Sequence, residues 1–369
     1  MAIPISPTTA RNALVVIAVI VTGAALRWLG GIVTPLLLAI FVAVMVDGFS
    51  RVIRRRAAFL PPSAATASAI VIAVAVLAAT TFVVVDNAGT FIGRLSAYEP
   101  KLNQLIATLA PRLGIRAPHT IEQIMAQLDP TPYLGSVAVA LQGFASAAVL
   151  VLIYLGFLIA SRHAFDRKMV RLFNEREERQ EALAVFIRVR NGIERYLWIQ
   201  TVTGAIIAVA AFALMAAIGL EDAFFWAFLI FVLNYVPIVG AVVAIVLPAL
   251  FALVQFPGFG PAAEILLGLF AITFVVGNIL LPRMQGDSLN MDPLVVLMSL
   301  GFWGAIWGLP GMFLSTPLTV LTMVILAQFE GSRWIAILLS ANGDPQGLGR
   351  GSERSPDEPA PAQSPAAAR

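Results

Sequence analysis

Between two strongly apolar segments the chain reads Gly277-Asn278-Ile279-Leu280-Leu281-Pro282-Arg283-Met284-Gln285-Gly286, then Met291-Asp292-Pro293, then Gly308-Leu309-Pro310-Gly311. An amide, an arginine, an aspartate and several helix breakers are thus set into a hydrophobic background. Of the 369 residues 59% are hydrophobic and 12% charged, with a mean hydropathy of +0.88. Soluble domains hold roughly 45–50% apolar and about 25% charged residues. The composition therefore predicts an all-α, polytopic integral membrane protein. In a bilayer, unwound backbone is tolerated only where protein or water satisfies its polar groups. A charged residue at such a place is a candidate functional site.

Apolar runs able to cross ~30 Å of hydrocarbon fall at 12–29, 32–50, 64–86, 140–160, 196–219, 224–256, 262–282 and 293–329. That predicts about eight transmembrane segments. The sixth and eighth are overlong and hold Pro and Gly, so they are broken or re-entrant. No A-x-A-like cleavage site follows the first run, which reads as a retained span.

Arginines set the orientation. Arg51, Arg54, Arg55 and Arg56 follow the second run, and nine more basic residues from Arg162 to Arg195 follow the fourth. The positive-inside rule puts both loops, and with them the N-terminus, in the cytoplasm. Residues 87–139 then lie outside as a helical region. Asn174 can cap a cytoplasmic helix with acids in its first turns, continuing into the fifth span. The expected units are a three-span bundle over 1–86, the outer helices over 87–139, a fourth span with the cytoplasmic helix over 140–195, a core over 196–340 and a disordered tail over 341–369. Within the core, a span followed by a broken segment occurs twice, and paired interrupted segments point to a transport site.

The net charge of +3 comes from loop arginines, so nucleic acid is not an expected partner. Cysteine is absent, so thiolate zinc sites and disulfides are excluded, and with only two histidines, His119 and His163, a multi-histidine metal site is not expected. No cofactor is expected. No enzyme motif of the G-x-S-x-G, H-E-x-x-H or P-loop type occurs.

Asn234, Pro237 and Gly240 could bind a polar solute or cation through an amide and freed carbonyls, or form a packing kink. Asn278, Pro282 and Arg283 close the seventh span; Arg283 is an anion or carbonyl anchor or a snorkelling residue. Glu264 could exchange protons, or mark a helix N-terminus. Gly308, Pro310 and Gly311 make the second break. Thr316 can answer a carbonyl freed by Pro317.

Asn234 to Gly240, Leu281 to Gly286, Pro293 to Leu297, Gly308 to Pro317 and Ser332 to Leu339 together resemble the AI-2E family of bacterial membrane proteins. The resemblance implies an inner-membrane secondary transporter of about eight spans with both termini cytoplasmic. It implies export of a small hydrophilic metabolite of the autoinducer-2 kind, coupled to H⁺ or Na⁺. The alternatives are Na⁺(Li⁺)/H⁺ antiport, a passive oligomeric channel or, further off, a membrane scaffold. Homo-oligomers, pentamers among them, are expected in the lipid bilayer. Family members often carry an acid just before the Pro-Arg pair. Leu281 stands there here, so coupling would pass to Glu264, Asp287 or Asp292.

Overall fold

In a computed structural model of the chain, residues 7–57, 59, 61–83, 86, 130–161, 176–285 and 290–344 are described. The elements are α1 (Pro7–Trp28), α2 (Gly30–Arg56), α3 (Pro62–Val83), α4 (Pro130–Ala160), α5 (Arg176–Ile218), α6 (Ala223–Leu233), α7 (Val239–Gln255), α8 (Gly260–Val275), a π-helix (Val276–Leu280), α9 (Leu281–Gln285), α10 (Pro293–Ala327) and α11 (Arg333–Leu339). Among the described residues there is no β-strand, only one isolated bridge, between Met291 and Ser340. Among the described residues six helices are long and apolar enough to cross a membrane. Of the outer region expected over 87–139, residues 130–139 belong instead to α4, which starts at Pro130 rather than near 140. The rest of that region, the Asn174 cap and Asp287 lie outside the described residues.

The cytoplasmic helix and the fifth span are one rod. α5 runs for 43 residues, about 64 Å at the α-helical rise. Its first half is tied to the end of α2 by two ion pairs, Asp47 with Arg190 and Glu194 with Arg51. The pairs are spaced four residues apart on each helix, the spacing that stacks side chains on one face. Gly48 gives Glu194 room, since a Cβ there would lie 3.0 Å from its carboxylate.

Both overlong segments fold back on themselves. α6 has 11 residues, about 16 Å, too short to cross. Trp226 near its start stacks on Phe251 near the end of α7, with centroids 5.3 Å apart. The Gln255 amide also holds Gly219 and Glu221 at that end. α6 and α7 are therefore antiparallel legs of one hairpin. α10 covers 35 residues, but Gly308 breaks it with φ 64° and ψ −142°. The Trp303 indole then donates to Thr319 Oγ1 at 3.0 Å, a contact impossible for residues 16 apart on a straight helix. This too is a hairpin.

One small residue makes each turn possible. A Cβ at Gly240 would lie 1.9 Å from the Leu233 carbonyl oxygen, and one at Gly311 2.0 Å from that of Trp303. Lipid supplies no hydrophobic drive between helices, so close packing through small residues has to hold them. At the tip of the first hairpin the Pro237 carbonyl accepts from the Val239 N–H at 2.6 Å. Ile238 between them has φ 61° and ψ −64°. That is a γ-turn of the rare, strained kind.

The second hairpin sits at the centre. Leu314 to Val320 are all buried. Their neighbours include Phe41 of α2, Tyr196 and Leu197 of α5, and Tyr235. Tyr235 of the first hairpin meets Phe313 of the second, ring centroids 5.0 Å apart. The end of α1 clamps the second tip: Arg27 donates to the Ala305 carbonyl and Trp307 to that of Leu26, each at 2.9 Å. By contrast only 6% of the α3 span and 11% of the α4 span are buried, leaving their apolar surfaces to lipid.

Candidate functional site: a cavity between the two hairpins

A cavity of about 700 Å³ lies between α5, the first hairpin tip, the α8–π–α9 segment and the foot of the second hairpin. Its wall on α5 is Tyr196, Gln200, Thr203 and Ile207. Offsets of 4, 7 and 11 residues put these on one helical face. Gly204 lets the hairpin come close, since a Cβ there would be 2.9 Å from the Asn234 amide nitrogen. Asn234 donates to the Gln200 carbonyl at 3.0 Å, and the Gln200 side chain returns a bond to the Tyr196 hydroxyl at 3.2 Å. Thr201 on the next face joins the Tyr235 hydroxyl at 2.6 Å. The turn is thereby pinned to α5, and Val236, Pro237 and Ile238 form the second wall.

The third wall is Thr273, Val276, Gly277 and Leu281. Here the helix loosens into five residues of π-helix, Val276–Leu280. Such bulges occur often at functional sites. The floor comes from the α10 foot and the chain after α11. Met291 pairs with Ser340, Ala341 N–H donates to the Asn290 carbonyl at 3.0 Å, and Asn290 donates to the Asp344 carbonyl at 2.6 Å. Asn290, Ala341 and Asn342 thus close one end of the cavity. The disordered tail expected from Ala341 therefore has its first residues placed by these bonds. From Pro345 onward the tail lies outside the described residues.

Among the described residues the lining contains hydroxyls and amides from Tyr196, Gln200, Thr203, Asn234, Thr273, Asn290, Thr316 and Asn342, and no Asp, Glu, Lys, Arg or His. Among the described residues the site is uncharged, with these polar groups set into a mostly apolar wall. It suits hydrogen bonding to a neutral solute, or oxygen ligation of a hard cation. Among the described residues no group of three or more His, Cys, Asp or Glu could hold a metal ion.

Of the residues singled out in the sequence, Asn234, Pro237 and Thr316 line the cavity. Gly240, Gly308 and Gly311 shape the hairpins, and Pro310 follows the second break. Asn278 is exposed, and its amide bonds the Phe274 carbonyl one turn back on its own helix at 2.9 Å. Pro282 and Arg283 are exposed outside the lining, as is Glu264. Asp292 caps α10, its carboxylate accepting from Leu294 N–H at 2.7 Å. Thr316 does not answer the carbonyl freed by Pro317: its buried hydroxyl makes no bond to its own helix and sits beside the Tyr196 hydroxyl.

Sequence reasoning passed over Tyr196, Gln200, Thr203, Thr273, Asn290 and Asn342. The α5 group left a legible signal, polar residues at helical spacing in an otherwise apolar span. Asn290 and Asn342 left none, because a bridge between chain segments 49 residues apart brings them together.

Residues 14–331 match the family model described as "AI-2E family transporter". The "AI-2 transport protein TqsA" of Escherichia coli is 30% identical over 85% of this chain and 91% of its own length. A Haemophilus influenzae protein named "Putative transport protein" is 30% identical over 89% of this chain and 96% of its own. The E. coli "Putative transport protein YhhT" is 29% identical over 84% and 88%. With fold-back hairpins, membrane-length helices and a match that spans most of its length, this chain belongs to the AI-2E family of membrane transporters.

Proposed function

We propose that this protein is a secondary transporter that exports a small, uncharged, hydrophilic metabolite of the autoinducer-2 kind through the cavity between its hairpins. The observation that carries this is the lining: hydroxyls and amides at a broken-helix junction, with no ionised side chain among the described residues. Broken helices are where transporter sites form, because freed backbone groups and nearby side chains replace the solute's water.

Direction follows from charge. Arg195 Nη2 lies 3.5 Å from the Met284 carbonyl. The α9 end of the seventh span thus shares a level with the arginine-rich half of α5 and the end of α2. The positive-inside rule makes that level cytoplasmic, with the N- and C-termini on the same side. The cavity end closed by Asn290, Ala341 and Asn342 then faces the cytoplasm, the side on which an exporter loads. The membrane is the bacterial inner membrane, and the working unit is a homo-oligomer.

Coupling is to H⁺ or Na⁺. Na⁺ has neutral oxygen ligands in the cavity wall, whereas among the described residues a proton finds no carboxylate or imidazole there. Glu264 and Asp292 lie outside the lining. Na⁺/H⁺ antiport without an organic solute is disfavoured on the same ground.

Autoinducer-2 uptake into inverted vesicles, under imposed Na⁺ or H⁺ gradients, tests the proposal. Gradient-dependent uptake lost in Asn234→Ala and retained in Arg283→Ala is expected. Uptake that ignores every gradient would make the protein a channel. No uptake under any gradient would remove this solute.

A further inference from the structure

Thr316 breaks a pattern that the other hydroxyls in these helices keep. Thr201, Thr203, Ser299, Ser315, Thr319 and Thr322 each donate to a carbonyl three or four residues back on their own helix. That bond is how a hydroxyl is normally satisfied within a membrane helix. Thr316 is only 2% exposed, and its hydroxyl makes no bond to its own helix; the group it meets is the Tyr196 hydroxyl. The carbonyl of Met312, which it could reach, is taken by Ser315. Thr316 belongs to the cavity wall, and the Tyr196 hydroxyl lies beside it. A buried hydroxyl without a backbone partner contributes less to the fold than one that has it. A site that holds such a group ready for a ligand has a use for that cost.

We propose that the Thr316 hydroxyl, beside that of Tyr196, contacts the transported solute and determines specificity by bonding one of its hydroxyl or carbonyl groups. This rests on the cavity being the solute route and adds which side chain selects the solute. A site built to hydrogen-bond a polar group rejects analogues that lack it, because its own buried group then stays unpaired.

The test uses Thr316→Val, Thr316→Ser and Thr316→Cys in the full chain, which has no cysteine of its own. Valine keeps the shape and removes the hydroxyl. Thr316→Val is expected to melt close to wild type, because no bond to the helix backbone is lost. Its KM for autoinducer-2 in vesicles should rise roughly five- to tenfold, the value of one hydrogen bond, while Thr316→Ser stays near wild type. The Thr316→Cys thiol should react with a small neutral methanethiosulfonate. Lower melting of Thr316→Val, or an unchanged KM, would overturn the proposal. If wild type moves no autoinducer-2, the solute assignment fails by itself. Labelling and melting then decide this proposal. A reactive thiol with undiminished melting retains Thr316 as a ligand-facing group; an unreactive thiol or lower melting removes it.

Discussion

Gly240→Ala and Gly311→Ala are the sharpest test of the two-hairpin architecture. The added Cβ would lie 1.9 Å from the Leu233 oxygen and 2.0 Å from the Trp303 oxygen. Carbon and carbonyl oxygen normally approach no closer than about 3.3 Å, so the backbone must open by roughly 1.3–1.4 Å. A carbonyl cannot swing aside as a side-chain tip can. The Leu233 oxygen also holds the Val236 N–H at 2.9 Å, and moving it breaks the turn. Overpacking costs about 2 kcal/mol and a buried bond left unmade about 2 kcal/mol. The helix propensity of alanine returns about 1 kcal/mol. The net expectation is a loss of about 3 kcal/mol for Gly240→Ala. Two variants calibrate it. Gly23→Ala meets nothing within 4 Å and should melt like wild type. Gly308→Ala also meets nothing, but would hold alanine at φ 64° and ψ −142°, about 1–3 kcal/mol of backbone strain. Fluorescence-monitored melting in detergent should rank Gly23→Ala with wild type, then Gly308→Ala, then the two hairpin variants. If Gly240→Ala and Gly311→Ala melt with wild type, the tight fold-back at the tips is wrong.

Ile238→Gly should raise melting, since glycine relieves a strained γ-turn by about 1–3 kcal/mol against an entropic cost of about 0.5–1 kcal/mol. A fall in melting would show that the half-exposed Ile238 side chain matters more than its backbone. Asp47→Ala should destabilise by about 1 kcal/mol, a value kept low because the pair is partly exposed. Reversing the pair with Asp47→Arg and Arg190→Asp together should recover part of the loss, and no recovery would mean that the two charges are uncoupled. Met291→Cys with Ser340→Cys should form a disulfide across the isolated bridge. Oxidation should slow transport reversibly by fixing the segment that closes the cavity, and equal oxidised and reduced rates would show that this segment need not move.

Much of the membrane fold was legible in the chain. Hydrophobic runs of bilayer length are a local property, and they placed the helices because lipid leaves the backbone no other way to bond itself. The positions of the breaks were legible too, since Pro237, Gly240, Gly308 and Gly311 act where they stand. What the breaks do was not. A bend and a reversal look alike in sequence, and the choice depends on whether a carbonyl seven or eight residues back can lie against a glycine, as with Leu233 and Gly240. The site was legible only in part. Asn234 and Thr316 were visible as polar residues beside helix breakers. Charge drew attention to Arg283 and Glu264, which the fold turns away from the cavity. Tyr196 and Gln200 became site residues only when the hairpin docked on α5, and Asn290 and Asn342 only when the chain after α11 returned to the foot of α10. Sequence alone determined that the chain forms apolar helices and where they break, because helix formation and interruption depend on near neighbours. Tertiary structure decided which polar groups face one another, because that depends on the direction each helix takes after its break.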